Sequence, residues 1–178
     1  MQKPPKTIET DRLQLRPPTL DDAEALFNKY TQDEEVTKYL IWQPHKSVDD
    51  TKEFMQYCVQ CWDEKPVFPW IIERKEDNEI VGMIELRINQ PKADLGYVIA
   101  REYWGKGYAS EVTKTVVNWA IAQEGIFRVW ATCDVENPAS ARVLEKAGMQ
   151  REGILRRWLM HPNVSDEPRD SYCYARVK

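Results

Sequence analysis

The sequence predicts a single α/β or α+β domain, and three observations carry that prediction. Runs of apolar, β-favouring residues recur along the chain, each bounded by turn-type or charged residues. Between them lie stretches whose apolar residues fall at three- and four-residue steps, some opened by a capping residue. A strand through Tyr97, a helix and a further strand through Trp130 follow one another, which makes one crossover. The length of 178 residues suits one domain with a substantial core, and no internal repeat or low-complexity tract interrupts it.

In chain order, Leu13, Leu15 and Arg16 read as the first strand, closed by Pro17 and Pro18. Thr19 then caps a helix with Asp21 and Asp22 in its first turn, where the helix dipole favours them. A second short helix is expected over 34–40. The aromatic segment 41–46, broken by Pro44, is irregular. Ser47 or Asp49 starts the next helix, with Phe54, Tyr57, Cys58 and Cys61 on one face. Residues 67–73 and 79–88 read as strands joined by a turn at 75–78. Gln90, Pro91 and Lys92 turn into a central strand built on Leu95, Tyr97, Val98 and Ile99. Gly105 and Gly107 break that strand. Val112, Val116, Trp119, Ala120 and Gln123 then mark a helix with Ala109 or Ser110 near its start and Gly125 suited to a left-handed cap at its end. A buried strand is expected over 127–133, a helix over 137–146 ended by Gly148, a strand over 149–158 and, past a loop at 161–170, a last strand over 171–177.

The bulk composition narrows the class. With 42% apolar and 30% charged residues the chain is an ordinary soluble globular protein. A formal charge of −4 and the lack of a basic cluster argue against nucleic acid as a partner, and are compatible with a cationic one. No apolar stretch approaches the ~20 residues of a membrane span, and residues 1–6 lack a signal peptide's apolar region. A cytoplasmic protein with no membrane partner is expected. Four cysteines are too few for a disulfide scaffold. Cys58 and Cys61 are spaced as a C-x-x-C, but on a helix, and the other two thiols, Cys133 and Cys173, lie in predicted strands. Buried structural thiols and no metal are therefore expected.

The stretch 94–110 carries the chemistry. A strand, a glycine-rich turn and a helix in that order leave several backbone N–H groups pointing at one spot, with the positive end of the helix dipole behind them. This is a phosphate-binding turn. A nucleotide-triphosphate loop would need Gly-Lys-Ser/Thr, whereas Lys106 precedes its second glycine. A dinucleotide fingerprint wants an acidic residue about twenty positions on at a strand end, and Glu124 sits at a helix end.

The run Trp104-Gly105-Lys106-Gly107-Tyr108-Ala109 instead resembles the Q/R-x-x-G-x-G/A signature of the GNAT acetyltransferases, and the run from Asn137 through Ser140 to Gly148 resembles that family's second motif. The likeness extends over nearly the whole chain and is nearest to the RimJ/RimL-like branch of ribosomal-protein N-terminal acetyltransferases. It implies one N-acetyltransferase domain over 8–178 behind a short extension at 1–7. It also implies a mixed, mostly antiparallel sheet flanked by helices on both faces, its central strands splayed around acetyl-CoA. By the same resemblance the amides of Gly105, Lys106, Gly107, Tyr108 and Ala109, near Ser110, hold the pyrophosphate. Trp104 stands where the family has Gln or Arg. Val98 and Ile99 offer backbone groups to the pantetheine arm, and Asn137 bonds the same arm; Tyr97 is a further cofactor-binding candidate, or else core or acceptor wall. Trp42 and His45 fall in the region that walls the acceptor site.

Acetyl transfer from a thioester needs a neutral amine, a polarised carbonyl and a partner for the leaving thiolate. Asp94, at about the position of a glutamate base in the histone-modifying branch, is the first candidate base and Glu85 the second; either could instead be a solvated strand carboxylate. The tyrosine acid that many members carry seven residues after the motif asparagine is Leu144 here. Ser140 is the remaining candidate at the thiolate, or else a capping residue of its helix. Three activities stay open: acetylation of a protein or peptide α-amine by direct attack, acetylation of a small amine such as a polyamine, amino acid or antibiotic, and non-catalytic acyl-CoA binding. The protein could act as monomer or homodimer.

Overall fold

In the computed structural model, which describes residues 3–178, eight strands form one sheet in the order β1-β2-β3-β4-β5-β6-β8-β7. They are β1 (Ile8–Glu9), β2 (Leu13–Arg16), β3 (Val67–Arg74), β4 (Ile80–Asn89), β5 (Lys92–Ile99), β6 (Arg128–Asp134), β7 (Gln150–Leu159) and β8 (Arg169–Val177). Every neighbouring pair is antiparallel except β5 and β6, which the crossover helix joins in parallel. Helix α1 (Ala23–Leu26), lying between a 3-10 turn and a wider π turn, packs with α2 (Glu34–Thr37) and α3 (Val48–Glu64) on one side. Helices α4 (Tyr108–Ala122) and α5 (Pro138–Lys146) pack together on the other.

The core lies between these helices and the sheet, around the fully buried Trp70, Tyr30, Tyr174, Phe68 and Leu13. Residues before β1 join it: the Trp70 indole donates to the Lys6 carbonyl at 3.1 Å, and Lys3 Nζ donates to the Trp62 carbonyl at 2.7 Å. Gly82 lets β4 and β5 lie close, since a Cβ there would stand 2.1 Å from the Val98 carbonyl oxygen.

Several elements differ from the sequence reading. The strand β1 is two residues long, too short for a periodicity to mark it. Helix α2 stops at Thr37, whose hydroxyl donates back to the Asp33 carbonyl at 2.9 Å. On α3 the inward face is Thr51, Met55, Cys58, Cys61 and Trp62, while Tyr57 is 43% exposed. Phe127 lies outside β6 and is 60% exposed; its N–H donates to the Pro91 carbonyl and its own carbonyl accepts from the Lys178 N–H at the sheet's rim. Cys58 and Cys61 are buried free thiols, and burial pushes both up.

Candidate active site

The central strands part. β5 and β6 pair only where Lys92, Ala93 and Asp94 face Arg128, Val129 and Trp130. Beyond Asp94, β5 pairs with β4 alone and β6 with β8 alone, leaving a fork between them. The Ala100 N–H donates to the Val81 carbonyl at 2.9 Å, and this pair fixes which residues of β5 turn their backbone groups toward β4. By the antiparallel alternation Gly96 and Val98 spend theirs on β4, while Leu95, Tyr97 and Ile99 turn theirs into the fork. The Val98 backbone groups, expected at the pantetheine arm, are thus spent on β4, and those turned into the fork belong to Tyr97 and Ile99. The Ile99 carbonyl already accepts from the Trp104 indole at 2.7 Å, so Trp104 closes the strand-to-turn corner.

At the open end of the fork, Gly105 (φ 75°) and Gly107 (φ 82°) take left-handed conformations that a side chain would strain. Among the described residues nothing stands within 4 Å of a Cβ built at Gly105, and at Gly107 only the Arg12 guanidinium does, at 3.5 Å. Gly107 precedes α4, and its carbonyl accepts from the Glu111 N–H at 3.1 Å, so the N–H groups before Glu111 have no turn of helix to bond. They meet the dipole's positive end beside Lys106, Tyr108, Ala109 and Ser110. Arg12, in the β1–β2 turn, braces this corner: it donates to the Lys106 carbonyl at 3.0 Å and to Glu111 Oε2 at 2.7 Å, and lies over the Tyr108 ring. Thr10 adds a bond to Glu111 Oε1 at 2.6 Å. Burial works against the Glu111 charge, yet these donors hold its carboxyl below the usual range.

Where the fork narrows, Tyr97 Oη and Ser140 Oγ lie 2.8 Å apart. Ser140 is not the cap of α5. Asn137 is, accepting from the Ser140 N–H at 3.0 Å, with Pro138 at the first helical position. The Ser140 hydroxyl is thus free to face Tyr97 and Cys133. Burial pushes Tyr97 well up, and it pushes the Cys133 thiol up to about 11 against the opposing hydrogen bond from Ser140. Leu144 is buried and supplies no acid.

Side chains alternate across a strand, so Asp94, Gly96 and Val98 face away from Tyr97, toward the α3 side. There Asp94 lies opposite Arg87 in register, and Arg87 donates through Nε to Asp94 Oδ2 at 2.6 Å and through Nη1 to Glu85 Oε1. Both candidate bases are therefore held by one guanidinium, on the face opposite Ser140. Glu85 is close enough to α3 to push Cys58 and Cys61 further up.

Trp42, His45 and Phe54 stack within 5.0–6.3 Å of one another, and His45 Nδ1 bonds Thr51 Oγ1 at 2.7 Å. Asn163 Nδ2 donates to the Thr37 and Trp42 carbonyls, each at 2.8 Å. Tyr39 Oη donates to the Glu136 carbonyl at 3.0 Å. Asp134 accepts from Arg169 Nε at 2.6 Å, with His161 buried beside it.

Sequence reasoning missed Arg12, Arg87, Cys133 and the Asp134–Arg169 pair. Only Arg87 left a local trace, sharing the parity of Glu85 two residues away. Arg12 and Glu111 stand 99 residues apart, and no local pattern joins them.

Residues 12–150, which carry the glycine turn, the split parallel pair and the hydroxyl beside it, match the acetyltransferase (GNAT) domain, a class of acyl-coenzyme A transferase. The chain belongs to the GNAT family. It is 37% identical over 174 residues to the uncharacterized N-acetyltransferase YoaA of Bacillus subtilis, covering 96% of each chain. Spermidine N(1)-acetyltransferase of Vibrio cholerae is 24% identical, with 67% of this chain and 69% of that one covered. The solved GNAT acetyltransferase of Bacillus anthracis superposes with a TM-score of 0.82 at 31% identity, covering 96% and 98%. RimL, a ribosomal L7/L12 alpha-N-protein acetyltransferase solved with coenzyme A, shares the fold with a TM-score of 0.81 at 21% identity, covering 96% and 97%. The chain is thus an acetyl-CoA-dependent N-acetyltransferase. Among the described residues no helix is long and apolar enough to cross a membrane.

Proposed function

We propose that the acceptor is the α-amine of a protein or peptide N-terminus, attacking the thioester directly. One observation carries this reading: the bases near the fork are engaged or buried. Glu85 and Asp94 are bound to Arg87, His45 to Thr51, and His161 is 3% exposed. An acceptor must then arrive with a useful neutral fraction of its own. A peptide α-amine near 7.7–8.0 does so, whereas a lysine-type amine near 10.4 needs roughly 3–4 kcal/mol more deprotonation. Asp94 and Glu85, each keeping one carboxylate oxygen clear of Arg87, take the proton through water.

In this reading the turn at 105–109 holds the pyrophosphate, and the backbone groups of Tyr97 and Ile99 hold the pantetheine arm together with the Asn137 side-chain amide. Ser140, backed by Tyr97, donates to the thiolate as it leaves. The RimL structure supports an α-amine acceptor; the spermidine enzyme supports a polyamine. Free-thiol release from acetyl-CoA with a panel of peptides, polyamines and amino acids separates them. Peptide kcat/KM at least about tenfold above any polyamine is expected, and a polyamine in first place overturns the assignment.

A further inference from the structure

The structure assigns Gly96 and Arg87 a joint role: we propose that they form the entry port of the acceptor, with Arg87 reading the carbonyl oxygen next to the reacting amine. This inference rests on the N-terminal reading above and names how that site would recognise its substrate. Gly96 stands in the middle of β5, where β-branched or aromatic side chains are the usual occupants. Among the described residues nothing requires glycine there. Its φ is not in the left-handed region, and a Cβ built on it would meet only Arg87 Nη2 at 3.8 Å and Nη1 at 4.0 Å, which is ordinary contact. A glycine that neither the backbone nor the packing demands marks a close approach by something else.

The position fits an acceptor. Gly96 lies two residues past Asp94, the last β5 residue paired with β6, so it stands just inside the fork on the face opposite Ser140. An amine passing over it reaches the fork from the side away from the departing thiolate. Arg87 borders the same opening with its side chain 42% exposed. Its bonds to Glu85 and Asp94 leave one N–H on Nη1 and one on Nη2 without a partner among the described residues. The two carboxylates hold the planar group in place, so it loses little freedom when it donates again. An N-terminal residue carries its carbonyl on the carbon beside the amine, within reach of those N–H groups. Lysine side chains and polyamines have none.

Gly96→Ala and Gly96→Val test the port, read by Tm, acetyl-CoA affinity by calorimetry and peptide KM. Both variants should melt near the wild type and bind acetyl-CoA within about twofold, while peptide KM rises at least about tenfold for valine and less for alanine. Arg87→Met and Arg87→Lys test the carbonyl contact, using an alanyl peptide against its isostere with an alkene in place of the first peptide bond. The wild type should prefer the true peptide about tenfold or more; methionine should erase that preference and lysine restore part of it. Unchanged peptide KM in Gly96→Val, or equal loss of acetyl-CoA affinity, overturns the port while the N-terminal reading stands. A wild type that turns over only amines without a neighbouring carbonyl overturns both.

Discussion

Ser140 shows how one residue's role depends on which neighbour claims the cap. Because Asn137 takes the Ser140 N–H, the serine hydroxyl is released to Tyr97 at 2.8 Å. A hydroxyl is a weak acid, so in the proposed role it would donate a hydrogen bond to the sulfur rather than transfer a full proton. Ser140→Ala should lower kcat about 10- to 100-fold, the worth of one bond to a charged acceptor, with acetyl-CoA affinity within about twofold. Tyr97→Phe should cost less, and the double variant should fall short of the product of the two, since the hydroxyls act as one chain. Stopped-flow thiol release measures all three. An unchanged rate in Ser140→Ala removes it from the mechanism. The glycine turn and the helix opening near Asn137 were legible as structure because they are written in consecutive residues. Arg87 was not, since its meaning depends on Asp94 facing it across a ladder.

The strand–turn–helix element joins the binding turn to the far end of the chain. Glu111 lies in the first turn of α4, where its charge would compete with a bound diphosphate for the same dipole. Arg12 and Thr10 take up that charge and leave the N–H groups to the ligand. Arg12→Ala should therefore weaken acetyl-CoA binding about three- to tenfold, and adding Glu111→Gln should recover most of the loss. Gly107→Val, which strains the turn and would fill the place proposed for the phosphate, should weaken it far more. Calorimetric titration of the four proteins decides. If Glu111→Gln brings no recovery, the clamp is merely structural. The order of strands and helices was readable from periodicity and glycines, but α2 stopped early and β1 escaped notice. A single turn ended by a threonine hydroxyl and a two-residue ladder both fall below the reach of any repeat.

Across the whole molecule, the cluster around Asp134 and the α2 region gathers residues from three distant stretches. Arg169 at the start of β8 binds Asp134 at the end of β6 and Glu136 beyond it, at 2.6 and 2.8 Å. Tyr39 and Asn163 tie in the α2 region. Burial opposes the Asp134 charge, but Arg169 and the Glu136 N–H outweigh it and hold its carboxyl below the ordinary range. A depressed folded value means that the pair stabilises the protein above the unfolded carboxyl range, near 3.9, and that this is lost as pH falls through the folded value. Asp134→Asn should be destabilised by about 2–4 kcal/mol at pH 7, because it leaves Arg169 short of a partner, and the gap should narrow below about pH 4. Urea midpoints across pH measure this, and a gap that stays constant refutes it. None of this was visible in the sequence, where Asp134 and Arg169 look like unrelated surface charges.

The fork has one more consequence. Left empty, it puts two unpaired strand edges in the middle of the sheet, and only three residue pairs join the halves. A coenzyme arm laid between them would serve as an extra strand, so the co-substrate completes the architecture as well as the chemistry. Amide hydrogens of Tyr97 and Ile99 would then exchange slowly only while coenzyme is aboard, and each release of product would loosen the molecule at its centre.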